Sequence, residues 1–204
     1  MPATAVQQQP ARPLRKQKKT RRISWETFQK KYLTREDGYK YEWLNGTVEK
    51  TPYTMDKTQI YIQRNLLACF RKLLNEGKVK GELIAEPDLF FLKNHRRPDM
   101  CWLTDGQIDR LAEDDYEVPA FVIEVISKND VISKMEDKME DYRAAGVQVV
   151  WKIYPQHQKI HVHTGENLET ITVFRGAKIC SAAPVLPGFT VAAEDVFGKA
   201  TADK

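Results

Sequence analysis

The chain has 204 residues, 42% hydrophobic and 29% charged, a composition typical of a folded globular domain that excludes a wholly disordered chain. The formal net charge is +4, and the three cysteines are widely spaced with no Cys-x-x-Cys pair, which excludes a disulfide framework and a zinc ribbon. No apolar stretch approaches the ~20 residues that span a bilayer, and no secretory signal is recognisable, so we expect a cytoplasmic protein.

Residues 1–22 are rich in Gln, Pro, Lys and Arg, with seven basic side chains and almost no large apolar residue. Such a segment cannot bury enough surface to offset the entropy of ordering, so we expect a flexible basic arm. A compact domain is expected over residues 23–198, followed by a flexible end over 199–204. The arm could follow a polyanion through counterion release or be an inert solvated leader, and the sequence leaves both open.

The first elements of the domain follow from caps and periodicity. Ser24 is a good N-cap for a short amphipathic helix that ends before Gly38, and Asn45-Gly46 between strand-like arms predicts a type I′ hairpin. A long helix is predicted after Pro52 and is closed by Gly77. Its apolar residues recur at three- and four-residue spacing: Ile62, Leu66, Cys69, Phe70 and Leu73.

Three extended segments follow, at about 83–92, 97–103 and 118–127, and they predict three successive strands. A helix from about Val131 to Ala145 ends at Gly146, and a further strand follows. The remainder predicts a short antiparallel meander and a small element at 193–197. The third segment is apolar throughout, as in a strand covered on both faces. We therefore expect an α/β fold in which helices flank a mixed sheet, with antiparallel β additions at both ends.

Glu124 interrupts this apolar strand and calls for a physical explanation. An unpaired buried carboxylate is too unfavourable to be accidental, so it requires a cationic partner, a metal ion or a raised pKa. A structural ion pair and a functional acid are both consistent with the sequence. Asp99 alternates with Cys101 and Leu103 and therefore also points inward. If the two strands are neighbours, Asp99 and Glu124 converge and offer the oxygen ligands that Mg²⁺ prefers.

Lys138 is the basic residue of the following helix that is best placed to reach these acids. At about 100° per residue, the stripe formed by Val131, Met135, Met139 and Tyr142 faces the core. Lys138 lies at the border of that stripe, whereas Lys134 lies nearer the polar side. The alternative is a lysine whose stem covers the core while its ammonium reaches solvent.

The sequence resembles the Uma2 family of restriction-endonuclease-like proteins, formerly a domain of unknown function, within the PD-(D/E)XK nuclease superfamily. The resemblance extends from about Ser24 to Phe197. It is carried by these segments: Tyr41–Val48 (YEWLNGTV), Arg97–Met100 (RPDM), Val122–Ser127 (VIEVIS), Lys138–Val147 (KMEDYRAAGV) with Trp151, and Leu186–Phe189 (LPGF).

The resemblance implies a restriction-endonuclease-like fold in which Asp99 and Glu124 are the acidic metal ligands. The usual superfamily lysine lies two residues after the glutamate, where this chain has Ile126, and the family pattern places it instead at Lys138. Glu42 matches an additional acidic position. Gln59 stands where many members have His at the start of the long helix, so the chain departs from the family pattern at this auxiliary position.

Other candidates are weaker. Asp88 belongs to a second Pro-Asp dipeptide and is expected at a surface or edge. His161 and His163 alternate onto one strand face but lack a third ligand, which indicates a solvated pair. No nucleophile elbow and no Gly-rich phosphate loop occur in the sequence.

The predicted function is hydrolysis of DNA phosphodiester bonds with Mg²⁺ or Mn²⁺ as the cofactor. Asp99, Glu124 and the backbone carbonyl of Val125 are the predicted metal ligands, with Lys138 orienting water or neutralising charge and Glu42 in an outer or second-metal role. Two alternatives remain: a catalytically inactive DNA- or protein-binding module, and a scaffold in which Glu124 and Lys138 merely pair. Cutting both strands of DNA would favour a homodimer.

Overall fold

The computed structural model describes residues 22–52, 57–113, 116–128 and 130–198. Residues 1–21, the bulk of the expected basic arm, and residues 199–204 lie outside this range. The helices are α1 Trp25–Phe28, continued by a π-helical turn Gln29–Leu33, then α2 Lys57–Asn75, α3 Asp105–Ala112, α4 Ile132–Ala145 and α5 Ala193–Phe197. The strands are β1 Tyr39–Leu44, β2 Thr47–Pro52, β3 Glu82–Ala85, β4 Leu89–Phe91, β5 Asn94–Arg96, β6 Met100–Leu103, β7 Phe121–Val125, β8 Val149–Tyr154, β9 Lys159–Thr164, β10 Thr170–Phe174, β11 Ile179–Ala182 and β12 Leu186–Ala192.

The main sheet has six strands in the order β10-β9-β8-β7-β6-β3. β7 and β8 are parallel and α4 connects them, whereas the other described pairs of this sheet are antiparallel. A parallel pair needs such a crossover, because a tight turn cannot bring the chain back to the same end. Every residue of β7 is buried, which fits a strand covered on both faces. The predicted mixed sheet is therefore confirmed.

Two smaller antiparallel sheets flank the main one, as predicted. Near the N-terminus, four strands pair in the order β2-β1-β5-β4, and near the C-terminus β11 pairs with β12. Asn45 and Gly46 join β1 to β2 with φ values of 45° and 90°, the two positive angles that a type I′ turn requires. The hairpin prediction is confirmed.

The main sheet separates two apolar cores. On one face α2, β12 and α5 pack against the sheet, with Phe70, Trp151 and Phe189 among the largest fully buried side chains. On the other face α4 packs through Met139 and Tyr142. This packing holds α4 over β7, the strand that carries Glu124.

Cys69, Cys101 and Cys180 are free thiols, in agreement with the expectation of no disulfide framework. In the part of the chain that the structure describes, none of the helices combines the length and the hydropathy of a membrane span.

Several local predictions need correction. The extended segment at 83–92 is broken at Glu86, whose φ is 50°, so β3 joins the main sheet and β4 the small one. The sequence pattern missed β5 and also missed α3, which begins at a capping box between Thr104 and Gln107. Val131 is 53% exposed and precedes α4, so its place in the core stripe was wrong.

His163 corrects the prediction of a solvated histidine pair. Its side chain is buried, and its Nδ1 lies 3.4 Å from the carbonyl oxygen of Leu168. Burial, with a smaller contribution from nearby Lys152, lowers the pKa of His163 to about 4. His161, on the same strand face, is only partly buried. Burial lowers the pKa of His161 as well.

Replacing His163 by Gln should weaken the acid sensitivity of the fold. Between the ordinary pKa of 6.5 and the folded value of about 4, the unfolded chain binds a proton that the folded chain does not, so stability is lost as pH falls through this window. From pH 7 to pH 5, the free energy of unfolding measured in urea should fall by up to about 2 kcal/mol more in the parent than in His163→Gln. His161→Gln is the control and should change this pH-dependent loss of stability less than His163→Gln does. If the parent and His163→Gln lose the same stability between pH 7 and pH 5, the assignment of this loss to His163 is wrong.

Candidate functional site

A cavity of about 490 Å³ opens between the β1–β2 hairpin, the start of α2, the start of β6 with the end of β7, and α4. Acidic and basic side chains line it in nearly equal numbers. Six of them form its charged centre: Lys40, Glu42, Arg96, Asp99, Glu124 and Lys138.

Asp99 and Glu124 meet because β6 and β7 are adjacent antiparallel strands. Met100 pairs with Ile123, so one step further along this register places Asp99 beside Glu124. The backbone N–H of Val125 donates to Asp99 Oδ2 at 2.7 Å and fixes that side chain beside the end of β7. Both acids line the cavity, and Val125 lines it too. The structure thus brings the two sequence-predicted acids to one point.

Glu124 receives two donors on one oxygen. Its Oε1 accepts from Tyr142 Oη at 2.5 Å and from Lys138 Nζ at 2.7 Å. Burial raises the pKa of Glu124, and the negative charge of Asp99 adds to that effect, while the positive charge of Lys138 opposes it. Neither contact uses Oε2.

Lys138 is held by acceptors from three directions. Its Nζ lies 2.7 Å from Glu124 Oε1, 3.3 Å from the carbonyl oxygen of Arg97 and 3.6 Å from Glu42 Oε1. Burial alone would lower the pKa of Lys138, but the surrounding carboxylates of Glu124, Glu42 and Asp99 raise it, so the lysine is charged. The alternative of a lysine whose ammonium reaches solvent is therefore wrong.

Glu42 supports this lysine from the small sheet. Its Oε1 accepts from the backbone N–H of Arg97 at 2.8 Å, and its Oε2 accepts from Arg96 Nη1 at 3.2 Å. Burial would raise the pKa of Glu42, but Lys138, Arg96 and Lys40 together lower it to about 2. Both oxygens of Glu42 are occupied by protein donors, an arrangement that favours anchoring over metal ligation.

Four residues of this network were missed as site residues by the sequence interpretation: Lys40, Arg96, Asp141 and Tyr142. Arg96 is 3% exposed and bridges Glu42 to Asp141, whose Oδ2 lies 2.7 Å from Arg96 Nε. Lys40 Nζ lies 3.5 Å from Asp99 Oδ1. Two sequence signals were available, because Lys40 shares a strand face with Glu42 and Tyr142 lies one helical turn after Lys138.

The remaining candidates lie around this centre. Gln59 lines the cavity from the first turns of α2. Asp88 does not line it; its 43%-exposed carboxylate lies 2.9 Å from His95 Nε2 and 3.1 Å from Arg97 Nε. This position agrees with the expected edge location of the second Pro-Asp dipeptide.

With this geometry in place, comparison with known proteins is informative. Residues 25–194 match the sequence profile of Uma2, described as "Putative restriction endonuclease". The chain belongs to the Uma2 family. The match spans both the acids and Lys138, in agreement with the resemblance seen in the sequence. No curated protein sequence matches the chain.

A solved structure supports the fold of this Uma2 protein. It is a protein from Anabaena variabilis described as a "putative nuclease belonging to DUF820", with a TM-score of 0.63 at 17% identity. The alignment covers 77% of this chain and 89% of that chain. The predicted restriction-endonuclease-like α/β fold is thereby confirmed.

The donor set of the Uma2 site fits a magnesium-type ion. The described residues contain no group of three or more His, Cys, Asp or Glu side chains arranged to hold a metal. Mg²⁺, however, is commonly bound through one or two carboxylates and completes its shell with water and substrate oxygens. Within the described part of the chain, Asp99 and Glu124 each keep one oxygen without a short protein contact, which meets that requirement.

Replacing Arg96 by Met should destabilise the fold strongly. The change leaves the carboxylates of Glu42 and Asp141 without their shared buried cation, and breaking such a buried pair costs about 3–5 kcal/mol. Urea unfolding monitored by circular dichroism measures the loss. Lys78→Met, which removes an exposed partner of Glu76, should leave stability nearly unchanged. Equal effects of the two changes would refute the buried network as a stabilising element.

Proposed function

We propose that this Uma2 protein is a metal-dependent endonuclease that hydrolyses DNA phosphodiester bonds, with Mg²⁺ or Mn²⁺ as its cofactor. The observation that carries the proposal is the convergence of Asp99 and Glu124 from adjacent strands in a cavity that also holds Lys40, Arg96 and Lys138. Two acids can bind a divalent ion, and the basic side chains suit an anionic substrate. Membership of a family described as "Putative restriction endonuclease" supports the same conclusion.

Asp99, Glu124 and the backbone carbonyl of Val125 would hold the metal ion. The bound ion would polarise the phosphate and lower the pKa of a bound water. In the reaction the water oxygen forms a bond to phosphorus, the bond from phosphorus to the leaving sugar oxygen breaks, and the water's proton ends on that oxygen. The protein's own contribution is to position the acids and to offset negative charge.

Lys138 and Tyr142 fix Glu124 through Oε1, which leaves Oε2 to face a ligand. Glu42 and Arg96 in turn hold Lys138 and the chain before Asp99 in place. Lys138 therefore orients the glutamate and places a positive charge beside the reacting group. Gln59 lies where it could contact substrate or water as an auxiliary group.

A cytosolic setting agrees with the three free thiols. Cutting both strands of DNA with one site per chain would favour a symmetric pair of copies, so we propose a homodimer for that activity.

A non-catalytic DNA-binding module is the second candidate. Lys138 and Lys40 each lie against one of the two acids, so the carboxylates have cationic partners without a metal ion. A protein that used its acids in this way would bind DNA and leave it intact. Metal binding separates the two functions.

The parent protein should bind Mn²⁺ in calorimetry, and Asp99→Asn should weaken that binding at least about tenfold because it removes one ligand charge. Unchanged Mn²⁺ binding, or none in the parent, would support the non-catalytic module instead.

Glu124→Gln and Asp99→Asn should each lower the rate of metal-dependent DNA cleavage at least about a hundredfold while the fold is retained. Nicking of a supercoiled plasmid measures the rate, and circular dichroism measures the fold. Asp88→Asn is the matched control, because Asp88 belongs to the other Pro-Asp dipeptide and does not line the cavity. If the control loses as much activity as Asp99→Asn, the assignment of the acids is wrong.

A further inference from the structure

The two lysines beside the acids differ in the number of N–H donors that they have left. A lysine ammonium carries three donors. Three oxygens surround Lys138 Nζ, from Glu124, Glu42 and the backbone of Arg97. Its side chain is 10% exposed. Glu124 Oε1 at 2.7 Å and the Arg97 carbonyl at 3.3 Å lie within hydrogen-bond distance, so two of the three donors of Lys138 are used, and Glu42 at 3.6 Å adds an ion pair.

Lys40 is in a different position. Its side chain is 15% exposed and, like that of Lys138, lines the cavity. Among the described residues, the hydrogen bond made by its Nζ is the contact with Asp99 Oδ1 at 3.5 Å, the outer limit of such a bond. Two of its three donors are thus left for a ligand in the cavity.

The contact partner of Lys40 is also significant. Asp99 is one of the two proposed metal ligands, and Oδ1 is the oxygen that the short bond from Val125 does not use. A divalent ion bound at that oxygen would repel the ammonium at close range. Lys40 would then exchange the carboxylate for another anion next to the ion, and in a nuclease that anion is the phosphate.

We propose that Lys40, and not Lys138, contacts the scissile phosphate of the nucleic acid. The inference rests on the proposed function. Lys40 donates to a non-bridging phosphate oxygen and stabilises the charge that grows there during attack. Lys138 acts through Glu124 as a positioning residue. Lys40 lies within the β1 strand, two residues before Glu42, so both lysines are tied to the same strand face.

Lys40→Met should change the affinity for Mn²⁺ and the rate of DNA cleavage in opposite directions. Loss of the ammonium removes a competitor for Asp99, so Mn²⁺ should bind about threefold to tenfold more tightly to the protein alone. Loss of the phosphate contact should slow single-turnover cleavage about a hundredfold at saturating Mn²⁺. A merely structural lysine would weaken both.

The experiment compares the full-length parent with Lys40→Met, Lys40→Arg and Lys80→Met. Calorimetry with Mn²⁺ and no DNA gives the metal affinity, and single-turnover cleavage of a labelled duplex gives the rate. Lys40→Arg keeps the charge and should restore most of the rate. Lys80 is exposed and does not line the cavity, so Lys80→Met should match the parent in both measurements. If Lys40→Met fails to fold by circular dichroism, Lys40→Gln takes its place.

Tighter metal binding together with slower cleavage supports the assignment. An active parent whose Lys40→Met variant cleaves at the parental rate overturns the assignment of Lys40 and leaves the proposed function intact. A parent that neither binds Mn²⁺ nor cleaves DNA overturns the proposed function, and the role of Lys40 falls with it.

Discussion

The structure depends on one constraint, a carboxylate in a strand that is covered on both faces. Glu124 lies in β7, whose every residue is buried, so its charge requires donors from the packing helix. Lys138 and Tyr142 of α4 supply them. Glu42 then pairs with Lys138, because a buried cation also needs a partner of opposite charge. Arg96 in turn pairs with Glu42 and Asp141. The charged centre is one network, in which Lys138 and Arg96 are each paired with two carboxylates.

The sequence predicted what depends on local periodicity and composition. The hairpin at Asn45-Gly46, the long helix, the covered strand and the mixed sheet all follow from spacing over a few residues. The meeting of Asp99 and Glu124 also followed, since neighbouring strands with inward acids converge. The prediction was less reliable where tertiary context decides. Glu86 adopts a positive φ that splits one apolar segment between two sheets, and the Pro87-Asp88 dipeptide after it was the available sequence signal.

The site residues that sequence reasoning missed share a cause. Tyr142 has an apolar ring and was assigned to the core stripe, which is correct for the ring but leaves out the hydroxyl that reaches Glu124. Arg96 and Asp141 are charged, and a charged residue is expected at the surface unless its partner is known. Their partners are 45 to 54 positions away in the chain, beyond any local pattern.

The chain separations within the network have a consequence for how the site assembles. Glu124 and Tyr142 are 18 positions apart within one strand–helix unit, whereas Lys40 and Asp99 are 59 positions apart and meet only when the small sheet docks. Closing the longer loop costs about 1 kcal/mol more in chain entropy. A local opening that lifts the β1–β2 hairpin would therefore disassemble the half with Lys40 and Glu42, while the half with Glu124 and Tyr142 stays folded.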